Sequence, residues 1–353
     1  MKNTITKFAA VIILFSCIAG PVIAADVLDI GSGARSIALG RTSTSTISDG
    51  YGIFGNPAVL TGINIGEIIS MAGSMSDDAR YALLGYVLPT KYGNFSLGYG
   101  GNSIGGLNST TMDATTGRPA VLSNFDFNNN LLMLGFQNNL SKMISFGARL
   151  KYYSKGISNS ADGTGAGINA DVGLLIKAND RFNLGLAGKN LIPGDAGAVK
   201  LHNGQIEEQP AALEIGLGFK AHPRLDLYAD LGVNKNIPSA AKLGVEWQLL
   251  NSLALRLGAE QKALNTSSSY INGSAGVGCE LGLMGIDYAY YYDSLMTGNS
   301  RHFVSITILT PKVGVAKETA KVAEIVKPEQ AKKVETPKAV IAAPKPRLNL
   351  LKK

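Results

Sequence analysis

The sequence predicts an all-β fold: a transmembrane antiparallel β-barrel of about 14 strands with an N-terminal hatch segment in its lumen. Three observations lead to this prediction. Apolar residues alternate with small or charged residues through much of 66–310, as along strands with one apolar face. That region has no apolar run of about 18 residues, so only a closed barrel could cross a bilayer with its backbone polar groups paired. The alternating segments are also about nine to twelve residues long, as tilted membrane strands require.

Residues 1–24 have the pattern of a secretory signal peptide. Two lysines precede an apolar run, and a small-residue stretch follows, so cleavage is expected after Ala24. The alternative is a lipoprotein box at Leu14-Phe15-Ser16-Cys17. Ordinary cleavage would leave Cys279 as the only cysteine, which excludes an intramolecular disulfide.

Residues 25–65 precede the first predicted strand and form the predicted hatch or plug segment. The alternative, a disordered leader, would expose several large apolar side chains to water. Asn56-Pro57 predicts a turn, because proline fixes its own φ and disfavours helix at the preceding residue. The candidate hatch residues are Gly33, Ala34, Arg35, Leu39, Gly40, Asp49, Asn56, Pro57 and Ala58.

The barrel is predicted within residues 66–310. Its expected strands are 66–74, 79–88, 93–101, 127–137, 143–154, 166–177, 181–190, 211–220, 224–234, 240–249, 252–261, 270–280, 284–292 and 301–310. Short turns alternate with longer loops, of which the longest are 102–126, 156–165 and 191–210. Outer-membrane barrels have short periplasmic turns and longer external loops. We therefore expect a bacterial outer-membrane location, with outer-membrane lipid around the barrel and both termini periplasmic.

Strand parity places charged residues of both signs on the inner face of the barrel. The predicted lumen-facing residues are Arg149, Asp171, Glu214, Asp226, Asp230, Glu246, Arg256 and Asp287. Charges that are removed from water persist when they are paired. A mixed lining therefore favours hydrogen bonding to a plug over the selection of ions of one sign.

The positive charge of the chain is concentrated at its ends. The formal net charge is +7, yet residues 25–310 alone sum to −2 and residues 311–353 to +7. This distribution argues against nucleic acid as a partner. Residues 311–353 hold five prolines and no aromatic residue, which predicts a disordered Lys/Pro/Ala-rich periplasmic tail. The tail is either a solvated end or a tether that docks on an anionic cell-wall polymer, a lipid surface or an acidic protein.

No motif predicts catalysis, a metal site or a cofactor. Gly101-Asn102-Ser103-Ile104-Gly105 has the letters of a nucleophile elbow, but that motif needs a helix directly after it, and none is predicted. The three histidines and two cysteines are scattered and do not form a zinc ligand set. The protein is therefore predicted not to be an enzyme.

Four short motifs follow one another in the N-terminal part of the chain: Gly33-Ala34-Arg35, Ala38-Leu39-Gly40, Asp49 and Asn56-Pro57-Ala58. Their order resembles the N-terminal signature of the PorV/PorQ-like outer-membrane proteins, which are relatives of FadL-type long-chain fatty-acid transporter barrels. Strand segments of the final third, such as 242–247 and 285–290, also follow the order of that family, so the resemblance covers about residues 30–310.

The resemblance implies a barrel of 14 strands whose N-terminal segment folds into the lumen as a hatch. It implies one of two functions: passage of hydrophobic small molecules across the outer membrane, or a non-transporting role as partner or scaffold of a protein-secretion or envelope-attachment complex. Gly55 and Val59 depart from the family pattern, in which an aromatic residue often precedes Asn-Pro and a glycine follows Ala. The chain also continues past the last predicted strand.

Overall fold

The computed structural model describes residues 27–46, 49–74, 79–113, 115–234, 240–263, 268–295 and 301–310. The predicted signal peptide and C-terminal tail lie outside these residues. No helix in the described part of the chain is long and apolar enough to span a membrane.

Sixteen strands are described. They are β1 (Gly66–Ser74), β2 (Ala79–Thr90), β3 (Gly93–Met112), β4 (Pro119–Asn139), β5 (Ile144–Ile157), β6 (Ser160–Lys177), β7 (Phe182–Lys189), β8 (Val199–Leu201), β9 (Ile206–Glu207), β10 (Ala212–His222), β11 (Leu225–Asn234), β12 (Ala240–Leu250), β13 (Leu253–Ala263), β14 (Ser269–Leu281), β15 (Met284–Tyr292) and β16 (Arg301–Thr310). All except β8 and β9 form a closed antiparallel barrel of 14 strands, which confirms the predicted barrel and its number of strands. Closure comes from the pairing of β1 with β16, in which Gly66 lies opposite Thr310. The first strand therefore begins, and the last strand ends, at the same edge of the barrel.

Each barrel strand has a buried face and an exposed face. Along β2, Tyr81, Leu83 and Val87 are buried, while the intervening Leu84 and Leu88 are exposed. The exposed face carries large apolar side chains around the barrel, as a surface in contact with lipid does. We call the buried face the inner face.

Two predicted loops are wrong. Residues 102–126 do not form a long loop, because β3 continues to Met112 and β4 begins at Pro119. The predicted loop 156–165 likewise shrinks to a turn, since β5 ends at Ile157 and β6 begins at Ser160. Beyond Ile104 on β3 and before Phe127 on β4, these two strands pair only with each other, so no buried face imposes the alternation that marks strands elsewhere. Before Gly165, β6 likewise pairs only with β5. We call this side of the barrel the long-hairpin end and the opposite side the short-turn end.

The predicted loop 191–210 contains a short hairpin. Its strands β8 and β9 pair with each other, and β8 also pairs with β6. This hairpin brings Val199 into the buried apolar cluster of the barrel.

The described residues 27–46 and 49–65, here called the N-terminal segment, are mostly buried. They form three 3-10 turns, Val27–Ile30, Gly50–Ile53 and Pro57–Leu60, and the short helix α1 (Ala34–Ala38). Asn56 is extended, with φ −91° and ψ 115°, and its side-chain oxygen accepts a hydrogen bond from Ala58 N at 3.0 Å. The predicted turn at Asn56-Pro57 is therefore present.

Candidate lumen site

The N-terminal segment contacts the inner face from near the long-hairpin end to the short-turn end. Tyr81 lies near the start of β2, at the long-hairpin end. Its hydroxyl donates to the carbonyl oxygen of Gly31 at 2.9 Å. Ala34 N then donates to the Ser305 hydroxyl at 2.8 Å. Near the short-turn end, the Asn94 side chain donates to the carbonyl oxygen of Leu60 at 2.8 Å, and the segment leads into β1.

Inward-facing glycines make room for this segment. A Cβ atom at any of them would overlap the segment: Gly147, Gly173, Gly185, Gly216, Gly244, Gly258 and Gly276. They lie on seven different strands, and three pairs are direct neighbours in the register, Gly147 with Gly173, Gly185 with Gly216, and Gly244 with Gly258. We call this set the glycine belt. The glycine belt is not among the residues predicted from the sequence, although its signal is present there as glycines at inward positions of alternating strands.

The hatch-motif residues Leu39 and Gly40 lie against this belt. Leu39 is fully buried, and its backbone lies beside Gly244 and Gly258. Gly40 has φ +67°, and a Cβ there would meet the carbonyl oxygens of Leu243 and Ala259 at 2.5 Å. Backbone conformation and space therefore both require glycine at this position.

Pro57 and Ala58 pack on the belt at Gly147, and Asn56 packs at Gly173. The Asn56 side chain donates to the carbonyl oxygen of Thr44 at 2.8 Å, which joins two parts of the segment. Gly33, with φ +151°, lies against the ring of Tyr51.

Arg35 is the centre of a charged network between the segment and the wall. Its Nε and Nη2 atoms donate to the two carboxylate oxygens of Glu246 at 2.8 and 2.9 Å, and its Nη1 donates to Asp49 at 2.9 Å. Glu246 also accepts from Arg256 Nε at 2.5 Å, and Arg256 Nη1 donates to Asp287 at 2.6 Å. Five of the residues proposed from the sequence thus meet at one place, and all five are paired.

A second contact lies at Asp230. This carboxylate accepts hydrogen bonds from Ser43 N at 2.8 Å and from Thr44 N at 3.0 Å, which fixes the chain after α1. Beside it, Glu214 pairs with Lys189 at 2.9 Å and with Lys242 at 3.3 Å.

A third contact involves Arg149 and Asp171, which are both buried. Their closest ion-pair distance is 2.6 Å, and Lys151 Nζ lies 2.9 Å from the other oxygen of Asp171. Arg149 Nη1 donates to the carbonyl oxygen of Ile53 at 2.5 Å, which ties the segment to β5. Asp226 is in none of these three sets; it is half-buried and lies opposite Lys220 in the register.

The other side of the inner face is apolar. The wall there contributes buried side chains from β1, β2, β4 and β16, namely Ile69, Met71, Tyr81, Leu83, Leu131, Met133 and Phe303. The segment contributes Val27, Leu28, Ile30, Ile37, Ile53 and Phe54 to the same cluster. The segment is therefore bound by ion pairs on one side and by apolar packing on the other.

Two cavities open at the short-turn end, and Arg35 lines both. One of about 350 Å³ contains the rest of the Arg35 network, Asp49, Glu246, Arg256 and Asp287. The other, of about 600 Å³, lies between the segment, the turns that follow β4 and β6, and the adjoining parts of β10 and β11.

The residues that could suggest catalysis are not arranged for it in the described part of the chain. Ser103 lies within β3, opposite Arg80 and Asn128, and not at a turn between a strand and a helix. No group of three or more His, Cys, Asp or Glu side chains suited to a metal ion occurs among the described residues.

No protein-family model and no curated protein matches the chain. Solved structures do match it. The toluene transporter TodX of Pseudomonas putida has a TM-score of 0.61 at 16% identity, covering 80% of this chain and 99% of TodX. The chain has the fold of that barrel. The toluene transporter TbuX of Ralstonia pickettii matches with a TM-score of 0.53 at 15% identity, over 79% of this chain and 97% of its own.

A FadL homologue of Pseudomonas aeruginosa matches with a TM-score of 0.52 at 13% identity, over 82% of this chain and 99% of its own. These matches agree with the resemblance to FadL-type barrels seen in the sequence. At 13–16% identity they show a shared fold. The PorV/PorQ assignment stays a prediction. The absence of enzymatic activity in this chain also stays a prediction.

Proposed function

We propose that this protein is an outer-membrane barrel that passes hydrophobic small molecules, with the N-terminal segment as its hatch. The observation that carries the proposal is the apolar side of the lumen, where buried side chains of the wall and of the segment form one cluster. Pockets for hydrophobic ligands are lined in this way, with few polar groups. Proteins of the same fold include toluene transporters, which supports the same substrate class.

The uneven attachment of the segment supports a way for the hatch to open. Ion pairs and hydrogen bonds to charged groups hold it at Glu246, Asp230 and Arg149. On the apolar side, the Ile53 and Phe54 side chains contact the wall through apolar packing, while the Ile53 carbonyl stays bound to Arg149. An entering hydrophobic solute would replace the apolar contacts that are lost when these side chains shift. We propose that solute passes along this side while the charged side stays in place.

A cross-link between the segment and the wall tests this proposal. Ile53 on the segment packs against Gly98 on β3, so Ile53→Cys with Gly98→Cys, in a Cys279→Ser background, should form a disulfide. Cells that express the reduced protein should take up labelled toluene and oleate faster than cells lacking it. Oxidation should remove that difference, and the two single-cysteine variants serve as controls. Equal uptake with and without the protein would contradict the transport function, and unchanged uptake in the oxidised protein would contradict the hatch.

A second candidate function is that of a partner or scaffold in protein secretion or envelope attachment. It is favoured by the outer part of the β3–β4 hairpin, which extends beyond its neighbouring strands and exposes Met112, Val121 and Leu122. Exposed apolar side chains on a projecting hairpin are suited to binding another protein. Co-purification of a secretion protein with the intact chain, together with uptake equal to that of cells lacking it, would favour this candidate.

We propose that residues 311–353 tether the protein on the periplasmic side. The support is the net charge of +7 within this stretch, which would attract an anionic cell-wall polymer or an acidic protein. Deletion of 312–353 should reduce co-sedimentation of the protein with purified cell wall and leave toluene uptake intact. Unchanged co-sedimentation would contradict the tether.

A further inference from the structure

The cavity of about 600 Å³ at the short-turn end has more basic than acidic side chains that are free to bind a ligand. Its charged lining residues are Arg35, Lys142, Lys177, Asp180, Lys220 and Asp226. Arg35 is neutralised by its own carboxylate partners, and Asp226 offsets Lys220 across the β10–β11 pair. Lys142 and Lys177 remain, with Asp180 as the one other carboxylate in the lining. Neither lysine forms an ion pair with another described residue. The cavity thus carries an excess of one positive charge.

A buried hydroxyl in the same cavity has no partner. Ser45 lines it and is 1% exposed, and its Oγ atom makes no hydrogen bond within the described part of the chain. The backbone beside it is held in place, because Thr44 N donates to Asp230 at 3.0 Å. An unsatisfied buried hydroxyl is unfavourable, so Ser45 gains a hydrogen bond when a ligand atom reaches it.

Size and charge together define the ligand. A cavity of this volume is in the range that holds a small organic molecule and is larger than an inorganic ion needs. A single excess positive charge matches a monoanion, and carboxylate oxygens accept hydrogen bonds from both ammonium and hydroxyl groups. Met143 and the ring of Tyr228 also line the cavity and offer apolar contact to a carbon skeleton.

We propose that this cavity binds a small organic carboxylate, with Lys142 and Lys177 at its charged end and Ser45 donating to one carboxylate oxygen. The proposal is separate from the apolar side of the lumen and does not depend on whether hydrophobic solutes are transported. The short-turn end of the barrel would then bind a carboxylate ligand that differs from the hydrophobic solutes of the apolar side.

Two fluorescent probes that differ in charge test the proposal. The full chain in neutral detergent is titrated with 2-aminobenzoate and, separately, with the uncharged 2-aminobenzamide, and binding is followed by fluorescence anisotropy. We expect saturable binding of the carboxylate, at least about tenfold weaker binding of the amide, and weaker carboxylate binding at high salt. Equal binding of the two probes would overturn the proposal, as would the absence of saturable 2-aminobenzoate binding.

Variants locate the site. Lys177→Gln and Ser45→Ala should each weaken 2-aminobenzoate binding by about threefold to tenfold. Lys91→Gln is the matched control, because Lys91 is an exposed lysine at the same end that does not line the cavity. Heat-modifiable mobility in gels shows that each variant is folded. An affinity unchanged by Lys177→Gln, or lowered as much by Lys91→Gln, would place binding elsewhere and overturn the proposal.

Discussion

At Gly258 the absence of a side chain allows the backbone of Leu39 and Gly40 to lie directly on β13. Gly258→Ala would place a methyl group in the space that this backbone occupies, and overpacking of this kind costs about 1–3 kcal/mol. We expect the variant barrel to form with its N-terminal segment displaced. Limited proteolysis should then cut the segment faster than in the parent protein, while heat-modifiable mobility shows that the barrel persists.

Gly273→Ala is the control for that experiment. Gly273 lies on the neighbouring strand β14, and a Cβ there would have no atom within 4 Å. The two substitutions are chemically the same and differ only in what the new methyl group meets. Equal protease sensitivity in the two variants would show that the glycine belt does not position the segment.

Arg35 offers a second test at a single residue. Arg35→Gln removes the hydrogen bonds to Glu246 and Asp49; Glu246 retains Arg256, whereas Asp49 loses its ion-pair partner. Removing one partner of a fully buried ion pair costs about 3–5 kcal/mol, and a smaller loss is expected here because the side chains of Arg35 and Asp49 are 20% and 12% exposed. The midpoint of denaturant unfolding should therefore fall.

Two further variants separate the causes of that loss. Adding Asp49→Asn to Arg35→Gln removes the carboxylate left unpaired and should recover part of the lost stability. Arg118→Gln, at an exposed position in the β3–β4 turn, should leave the midpoint unchanged. A midpoint for Arg35→Gln equal to that of the parent would mean that the network adds nothing to stability.

The β3–β4 hairpin has an inner part within the barrel wall and an outer part that projects from it. Up to Ile104 and Phe127 its strands pair with β2 and β5, and further out they pair only with each other. Replacing residues 109–123 by Asn-Gly would close a two-residue turn between Asn108 and Asn124, which are partners in the register. We expect the shortened protein to show the same heat-modifiable mobility and unfolding midpoint. Loss of the folded band would mean that the outer part helps to close the barrel.

The same hairpin shows why the sequence did not predict the full length of every strand. The predicted bounds of β1 and β15 match the observed ones. Along strands such as β12, lipid on one face and a filled lumen on the other impose the alternation that made strands visible in the sequence. The outer hairpin has no neighbouring strand on either side, so residues 105–112 and 119–125 keep backbone pairing without a buried face. Strand parity could predict that Glu246 and Arg256 point inward, but it could not predict that Arg35 reaches Glu246. That pair is separated by 211 residues and depends on the path of the N-terminal segment.

For the whole molecule, the proposed outer-membrane location implies one orientation, with the short turns in the periplasm. Thr116 in the β3–β4 turn and Lys91 in the β2–β3 turn are both exposed, at opposite ends of the barrel. In a Cys279→Ser background, Thr116→Cys should react with a membrane-impermeant maleimide on intact cells. Lys91→Cys should react only after the outer membrane is permeabilised. The opposite pattern would reverse the orientation, and would place the basic cavity at the cell surface instead of facing the periplasm.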